Sequence, residues 1–388
     1  MSVELRPMGI TCNIACMYCY QNMHRDAGNG HSGYDLALIK HKLELLDEPF
    51  HLFGGEPLLM PLSDLDDLLG WEYNRNGKTS VVTNGILITE EHARLFKKYN
   101  TSVGVSIDGP GELNDIRWAG TLEATRKATA AAIQNIDRLL RHGIIPALQV
   151  QVTKCNSSAA KLPLMFEWLR QLDEKGIVSM RLHILEIDNP EVRKHYAFTP
   201  EENIEVFEQY LALEKTLGHL RFDIFTDMKQ MLLATDQEAT CTWRACDPYT
   251  TESVTGMDGQ GRMSNCGLTD KEGINFQKPD DQGYERYIAL YHTPQEHGGC
   301  KGCRFFLACK GQCPGTAIAG DWRNKSENCS VWKYFFTLHE KNIQHEGRIP
   351  LSLHPQREQL EKEMLQQWTQ GVNLTIASLA AAYKQYIK

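Results

Sequence analysis

Three cysteines near the start of the chain, in Thr11-Cys12-Asn13-Ile14-Ala15-Cys16-Met17-Tyr18-Cys19-Tyr20, constrain it more than any other feature. Their spacing is C-x3-C-x2-C. Three thiolates can hold three irons of a 4Fe–4S cluster and leave the fourth iron open to a ligand, whereas a fully ligated cluster mainly relays electrons. The two-cluster ferredoxin run has a fourth cysteine close by, and this triplet does not. The alternatives are a zinc site, which usually pairs two short cysteine or histidine clusters, and three reduced core thiols.

Composition narrows the setting. The 388 residues are enough for two domains, and 42% hydrophobic with 23% charged residues is ordinary globular usage. A net charge of −8 leaves no basic footprint for nucleic acid. No run is apolar enough to span a membrane and no signal-peptide core is seen, so a cytoplasmic location is expected. Twelve cysteines in a reducing compartment point to metal rather than to disulfides.

Residues 1–190 alternate short apolar runs with helical patterns. The expected strands are 3–8, 50–53, 79–83, 102–107, 147–153 and 180–185, with amphipathic stretches at 34–46, 90–98, 122–142 and 159–172. Repeated βα units predict an α/β fold with a parallel sheet, as a partial (β/α)6 TIM-type barrel. Active sites of such folds sit at the C-terminal ends of strands, and the triplet follows the first strand. Residues 191–235 read as a helical bridge. Residues 236–335 carry eight cysteines and little periodicity, so metal clusters would have to supply their order. Residues 336–388 read as a C-terminal helical tail.

Gly54-Gly55-Glu56-Pro57 follows the second expected strand. Paired glycines let a backbone approach a ligand, and a carboxylate accepts a hydrogen bond from an ammonium; alone, the motif is an ordinary turn. Thr83-Asn84-Gly85 and Ser106-Ile107-Asp108-Gly109-Pro110 end the next two strands and are also turn chemistry. His183 and Glu186 flank the end of the sixth strand and are the candidate catalytic residues; a polar residue satisfied at a strand end is the plainer account.

The triplet, with an aromatic residue just before its last cysteine, resembles the signature of radical SAM enzymes. That resemblance implies S-adenosylmethionine (SAM) bound at the open iron and cleaved by one electron to a 5′-deoxyadenosyl radical. It also implies SAM contacts at Tyr18, Gly54, Gly55, Glu56, Ser106 and Arg117. Arg117 departs from the family context: Asn114-Asp115-Ile116-Arg117 has asparagine for histidine and an Asp–Arg spacing one residue short. The second group, Cys246, Gly261, Cys266, Cys300-x2-Cys303-x5-Cys309-x3-Cys313 and Cys329, resembles the SPASM domain with its auxiliary 4Fe–4S clusters. Cys241 supplies an eighth thiolate. By family pattern Cys241, Cys246, Cys266 and Cys313 bind an inner cluster, and Cys300, Cys303, Cys309 and Cys329 an outer one. A pair of zinc ribbons has similar spacing. Cys155 is left over and reads as a packing residue. Lys301, Arg304 and Lys310 either offset cluster charge or are solvated.

Three 4Fe–4S clusters and SAM are therefore the expected cofactors, with an external one-electron reductant. Relatives of this kind modify peptides or proteins. Sulfatase-maturating members carry an aspartate after the second SPASM cysteine; Gly267 stands there, which favours maturation of a ribosomally made precursor peptide by crosslinking or by excision of tyrosine-derived backbone. The first strand starts at Val3, so leader recognition is expected from a small separate protein. The other readings are a sulfatase-maturating type of oxidase, a non-catalytic multi-cluster electron carrier, and a zinc scaffold.

Overall fold

A computed structural model describes residues 3–26, 33–185, 189–240, 243, 246, 255–264, 266 and 283–382. The chain divides into two compact units, residues 1–223 with 255–276, and residues 224–254 with 277–388.

The first unit is built on one sheet. Its strands are β1 (Val3–Arg6), β2 (Phe50–Leu52), β3 (Thr79–Thr83), β4 (Thr101–Ser106), β5 (Ala147–Val152), β6 (Ser179–Ile184), β7 (Arg221–Phe222), β8 (Thr255–Asp258) and β9 (Met263–Ser264). Spatial order is β7-β6-β5-β4-β3-β2-β1-β8-β9, parallel throughout except for the antiparallel β8–β9 pair. The first six strands thus stand in chain order, joined by helices such as Leu36–Leu46, Leu62–Asn76, Glu90–Lys98, Leu122–Arg141 and Leu162–Glu174. This is the α/β parallel architecture expected from the sequence. The helix Leu62–Asn76 was not among the expected elements, because its acidic run blurs the apolar period; it still buries Leu65, Leu68 and Leu69.

Side-chain alternation sets the two faces of the sheet. Val3, Leu5, Val81, Val103, Val105, Leu148, Val150, Leu182 and Ile184 are buried, each removal from water contributing about 1.5–3 kcal/mol. Their neighbours Ser106, Gln149, Gln151 and His183 line a cleft, which Val150 and Ile184 also border. Parallel strands covered on both faces read as continuous apolar runs; here the polar positions mark a face kept open.

Residues 255–264, which the sequence places inside the cysteine-rich segment, join the sheet beside β1. Gly259 is needed there, since an added Cβ would lie 2.5 Å from the Pro7 carbonyl oxygen.

The second unit is helical, with Glu285–His292, Cys329–His345, Arg357–Thr369 and Ile376–Ala382 among its helices. The C-terminal helices are more than a tail. Trp368 is buried with its ring against Tyr284, Tyr287 and Phe306, and Asp236 accepts from the backbone amides of Ile376 and Ala377.

Candidate active site

The C-terminal ends of the parallel strands open into a cleft of about 300 Å³. Cys12, Cys16 and Cys19, in the loop after β1, line it together with Tyr18, Gly54, Gly55, Ser106, Arg117 and His183. The sequence-predicted residues of the first unit therefore converge, with three exceptions. Cys266 does not line the cleft, Glu186 lies outside the described residues, and Glu56 is buried behind the cleft.

The paired glycines dock the cysteine loop. Gly55 donates its amide to the Gly9 carbonyl at 2.9 Å and Glu56 donates to that of Thr11 at 2.8 Å. Gly54 has φ of +116°, a left-handed conformation that favours glycine. Glu56 is fully buried, and its carboxylate accepts from the Leu58 amide (3.0 Å), the Thr83 hydroxyl (2.7 Å) and the Asn84 amide (2.8 Å). Burial raises its pKa, and these donors oppose the shift. The side chain is used by its own chain as a strut beneath the cleft wall.

That strut fixes Asn84, whose significance the sequence reading missed. Its Nδ2 donates to Asn13 Oδ1 at 2.7 Å and stands 3.7 Å from Cys12 Sγ. The Thr-Asn-Gly turn at the end of a central parallel strand was the available signal.

Arg117 reaches the site despite its altered spacing. The cysteine loop runs beside it, Ala15 donating to the Trp118 carbonyl at 2.6 Å and Met17 to that of Ile116 at 2.9 Å. Arg117 Nη1 donates to the Tyr18 hydroxyl at 2.7 Å, which donates to Asp108 Oδ2 at 2.6 Å. Asp108 Oδ1 accepts from the Gln151 amide at 2.9 Å. Burial raises the pKa of Asp108, opposed first by Arg117. Burial likewise pushes the Cys16 thiol up to about 12, again opposed first by Arg117. A positive iron centre would reverse that preference, since bound metal requires thiolates. The Asp–Tyr–Arg chain places a permanent cation beside the cysteine loop.

Desolvation first, and then Arg181, lowers the basicity of His183, whose ring lines the cleft. Cys155 does not line the cleft; burial pushes its thiol up to about 11, as for a packing residue.

In the second unit Cys300, Cys303, Cys309 and Cys329 line one small cavity. Burial pushes Cys300 up to about 12, reinforced by Cys303 and Cys329 and opposed by Arg286 and Lys325. Arg286, fully buried, organises this region: its guanidinium donates to the carbonyls of Lys310, Gly311, Trp322 and Asn324. No sequence signal separates it from a solvated helix arginine. Of the cations named from sequence, Arg304 pairs with Glu340 at 3.0 Å. Lys310 is buried and donates to the Trp243 carbonyl at 2.8 Å, burial lowering its pKa to about 8.

The donor sets fit iron–sulfur chemistry, with three thiols lining one site and four the other. A single zinc ion needs its thiolates drawn together at about 2.3 Å from one point. Among the described residues, no three His, Cys, Asp or Glu side chains are so gathered. The inner set is divided. Cys266 belongs to the first unit and Cys246 and Cys313 to the second, while Cys241 lies outside the described residues.

Within this fold and cleft, residues 7–153 match the Radical SAM superfamily model. Along most of its length the chain is similar to two curated proteins. It is 25% identical over 350 residues to the serine-type anaerobic sulfatase-maturating enzyme of Bacteroides thetaiotaomicron, covering 80% of this chain and 82% of the relative. It is 23% identical over 380 residues to the cysteine-type enzyme of Clostridium novyi, covering 88% and 95%. In fold it resembles native anSMEcpe with bound AdoMet and Cp18Cys peptide, at TM-score 0.66 and 17% identity, over 89% of this chain and 99% of that one. It also resembles Streptococcus suis SuiB bound to precursor peptide SuiA, at TM-score 0.51 and 14% identity, over 84% and 75%. Among the described residues no helix is long and apolar enough to cross a membrane.

Proposed function

We propose that this radical SAM enzyme modifies a ribosomally made precursor peptide, using three 4Fe–4S clusters and an external one-electron reductant. The observation that carries the reading is the convergence of Cys12, Cys16 and Cys19 with Arg117 and the Gly54–Gly55 turn at one cleft, in a chain whose second unit gathers four further cysteines at one cavity. When bound, the cluster and SAM supply hydrogen-abstracting chemistry through one-electron cleavage of a sulfonium. The residues of the chain do the rest. The three cysteines hold the cluster at the strand ends. Gly54 and Gly55 let the cysteine loop pack against the cleft wall, and Ser106 and Arg117 offer a ligand a hydroxyl and a cation. Open to the same cleft, neutral His183 is able to accept a proton from a peptide held there. By the family pattern, Cys241, Cys246, Cys266 and Cys313 would be the ligands of the inner auxiliary cluster. A small separate leader-binding protein would position the target before SAM is cleaved.

Co-expression with a neighbouring short precursor peptide, followed by mass spectrometry, tests the reading. A mass change confined to that peptide and dependent on Cys12, Cys16 and Cys19 is expected. No change in the peptide, with normal 5′-deoxyadenosine formation, would refute it. A second reading, oxidation of a sulfatase Cys or Ser to formylglycine, is supported by similarity to the curated enzymes named above. Against it stands Gly267, which takes the place of the expected aspartate. Oxidation of a sulfatase-type peptide, in preference to the precursor, would select the second reading.

A further inference from the structure

The four-cysteine cavity of the second unit carries two cations that the sequence did not single out. Lys325 and Lys333 line it alongside Cys300, Cys303, Cys309 and Cys329. A single residue holds both. Lys325 Nζ donates to the main-chain carbonyl of Gln295 at 2.6 Å, and Lys333 Nζ donates to its side-chain Oε1 at 2.5 Å. Gln295 is itself tied down, its Nε2 donating to the Lys301 carbonyl at 2.9 Å. It too lines the cavity. Among the described residues neither ammonium pairs with a carboxylate; both donate to the neutral oxygens of Gln295. Cys329 opens the helix Cys329–His345, so backbone amides at a helix N-terminus add positive potential on the same side.

We infer that Gln295 is a positioning residue that clamps Lys325 and Lys333 against the outer cluster and sets its reduction potential higher than four thiolates alone would give. The inference rests on the proposal that these four cysteines hold a 4Fe–4S cluster. A cluster ligated by four thiolates carries net negative charge, and each added electron makes it more negative. Fixed cations nearby stabilise the reduced form more than the oxidised one, and so raise the potential. Screening by water is weak because the cavity is small and apolar on its lining, with Phe305, Phe306 and Phe336 around it. The cluster is thereby biased toward receiving an electron. By contrast Arg304 is neutralised by Glu340, and Lys310 is turned to the Trp243 carbonyl.

The test uses the full chain, loaded anaerobically, with redox titrations followed by electron paramagnetic resonance. The outer cluster's signal is first assigned as the one lost in Cys300→Ser. In Lys325→Met combined with Lys333→Met, that signal is expected to titrate at a more negative potential, by more than in either single variant. Lys333→Arg, which keeps the charge, should stay near the parent value. Gln295→Ala leaves both lysines in the chain and only releases them; it should shift the potential in the same direction by less. These shifts are ones that a purely structural role would not produce in a fully loaded cluster. An unchanged potential in the loaded double variant, or in Gln295→Ala if the double variant fails to load, would overturn the inference while leaving the cluster assignment intact. Undiminished iron and an unaltered spectrum in Cys300→Ser and Cys329→Ser would overturn the cluster assignment, and the inference with it.

Discussion

Gly55 lies so close to Thr11 that a Cβ placed on it would stand 2.1 Å from the Thr11 carbonyl oxygen. Turn and cysteine loop are therefore fitted backbone to backbone, and the contact is one residue from Cys12. Gly55→Ala has to push the loop away, because the obstacle is main chain rather than the end of a flexible side chain. We expect the variant to lose the N-terminal cluster while keeping the iron of the second unit. Iron and sulfide analysis reads the outcome: of about twelve irons implied by three four-iron clusters, about four should go. Full iron content with normal SAM cleavage would show that the loop has slack.

Glu56 separates a structural role from a ligand role. Removing its carboxylate strands the Leu58 and Asn84 amides and the Thr83 hydroxyl in the interior. A buried group left without its partner costs about 1–3 kcal/mol. We expect Glu56→Ala to lower the urea midpoint, and to weaken the N-terminal cluster through Asn84. A variant of parental stability that has lost only SAM affinity would show that the carboxylate serves the ligand instead.

Much of this cleft was legible because its chemistry is local in sequence. The cysteine spacing, the glycine pair and the six βα units each occupy a short stretch, and strand-end placement brings them together. What was not legible depends on distant partners. Asn84 becomes a neighbour of Cys12 only because Glu56 holds its amide. Arg117 looked misplaced by its spacing, yet backbone bonds from Ala15 and Met17 bring it to the cysteine loop. Lys325 and Lys333 matter through Gln295, thirty and thirty-eight residues away. The strands β8 and β9 were obscured because they are short and because glycine, aspartate and serine dilute their apolar alternation.

His183 gives a pH signature. The folded chain holds its imidazole below the ordinary histidine value of about 6.5, by desolvation first and then by Arg181. The unfolded chain therefore binds the extra proton first, and stability falls as pH drops from about 7 into the acid range. The ring is open to the cleft, so solvent screens the effect. We expect His183→Asn to flatten the change in urea midpoint between about pH 7.5 and pH 5.5. An equally steep change in the variant would remove His183 from the account.

Arg117 tests the cation beside the cysteine loop. It is joined through the Tyr18 hydroxyl to the carboxylate of Asp108, which is buried and otherwise faces the Gln151 amide. Without that cation, the Asp108 charge loses the interaction that offsets its burial, at a cost of about 1–3 kcal/mol where hydrogen bonds to charge are broken. Arg117→Lys keeps a positive charge but loses the planar fork, so it should retain the fold and the cluster better than Arg117→Ala. If the guanidinium also contacts SAM, as the family resemblance implies, the lysine variant should bind SAM at least about tenfold more weakly, a difference of about 1.4 kcal/mol, at unchanged iron content. Equilibrium dialysis with labelled SAM, run beside iron analysis and urea unfolding, measures all three quantities. Parental SAM affinity in a fully loaded lysine variant would restrict Arg117 to bracing Tyr18 and Asp108.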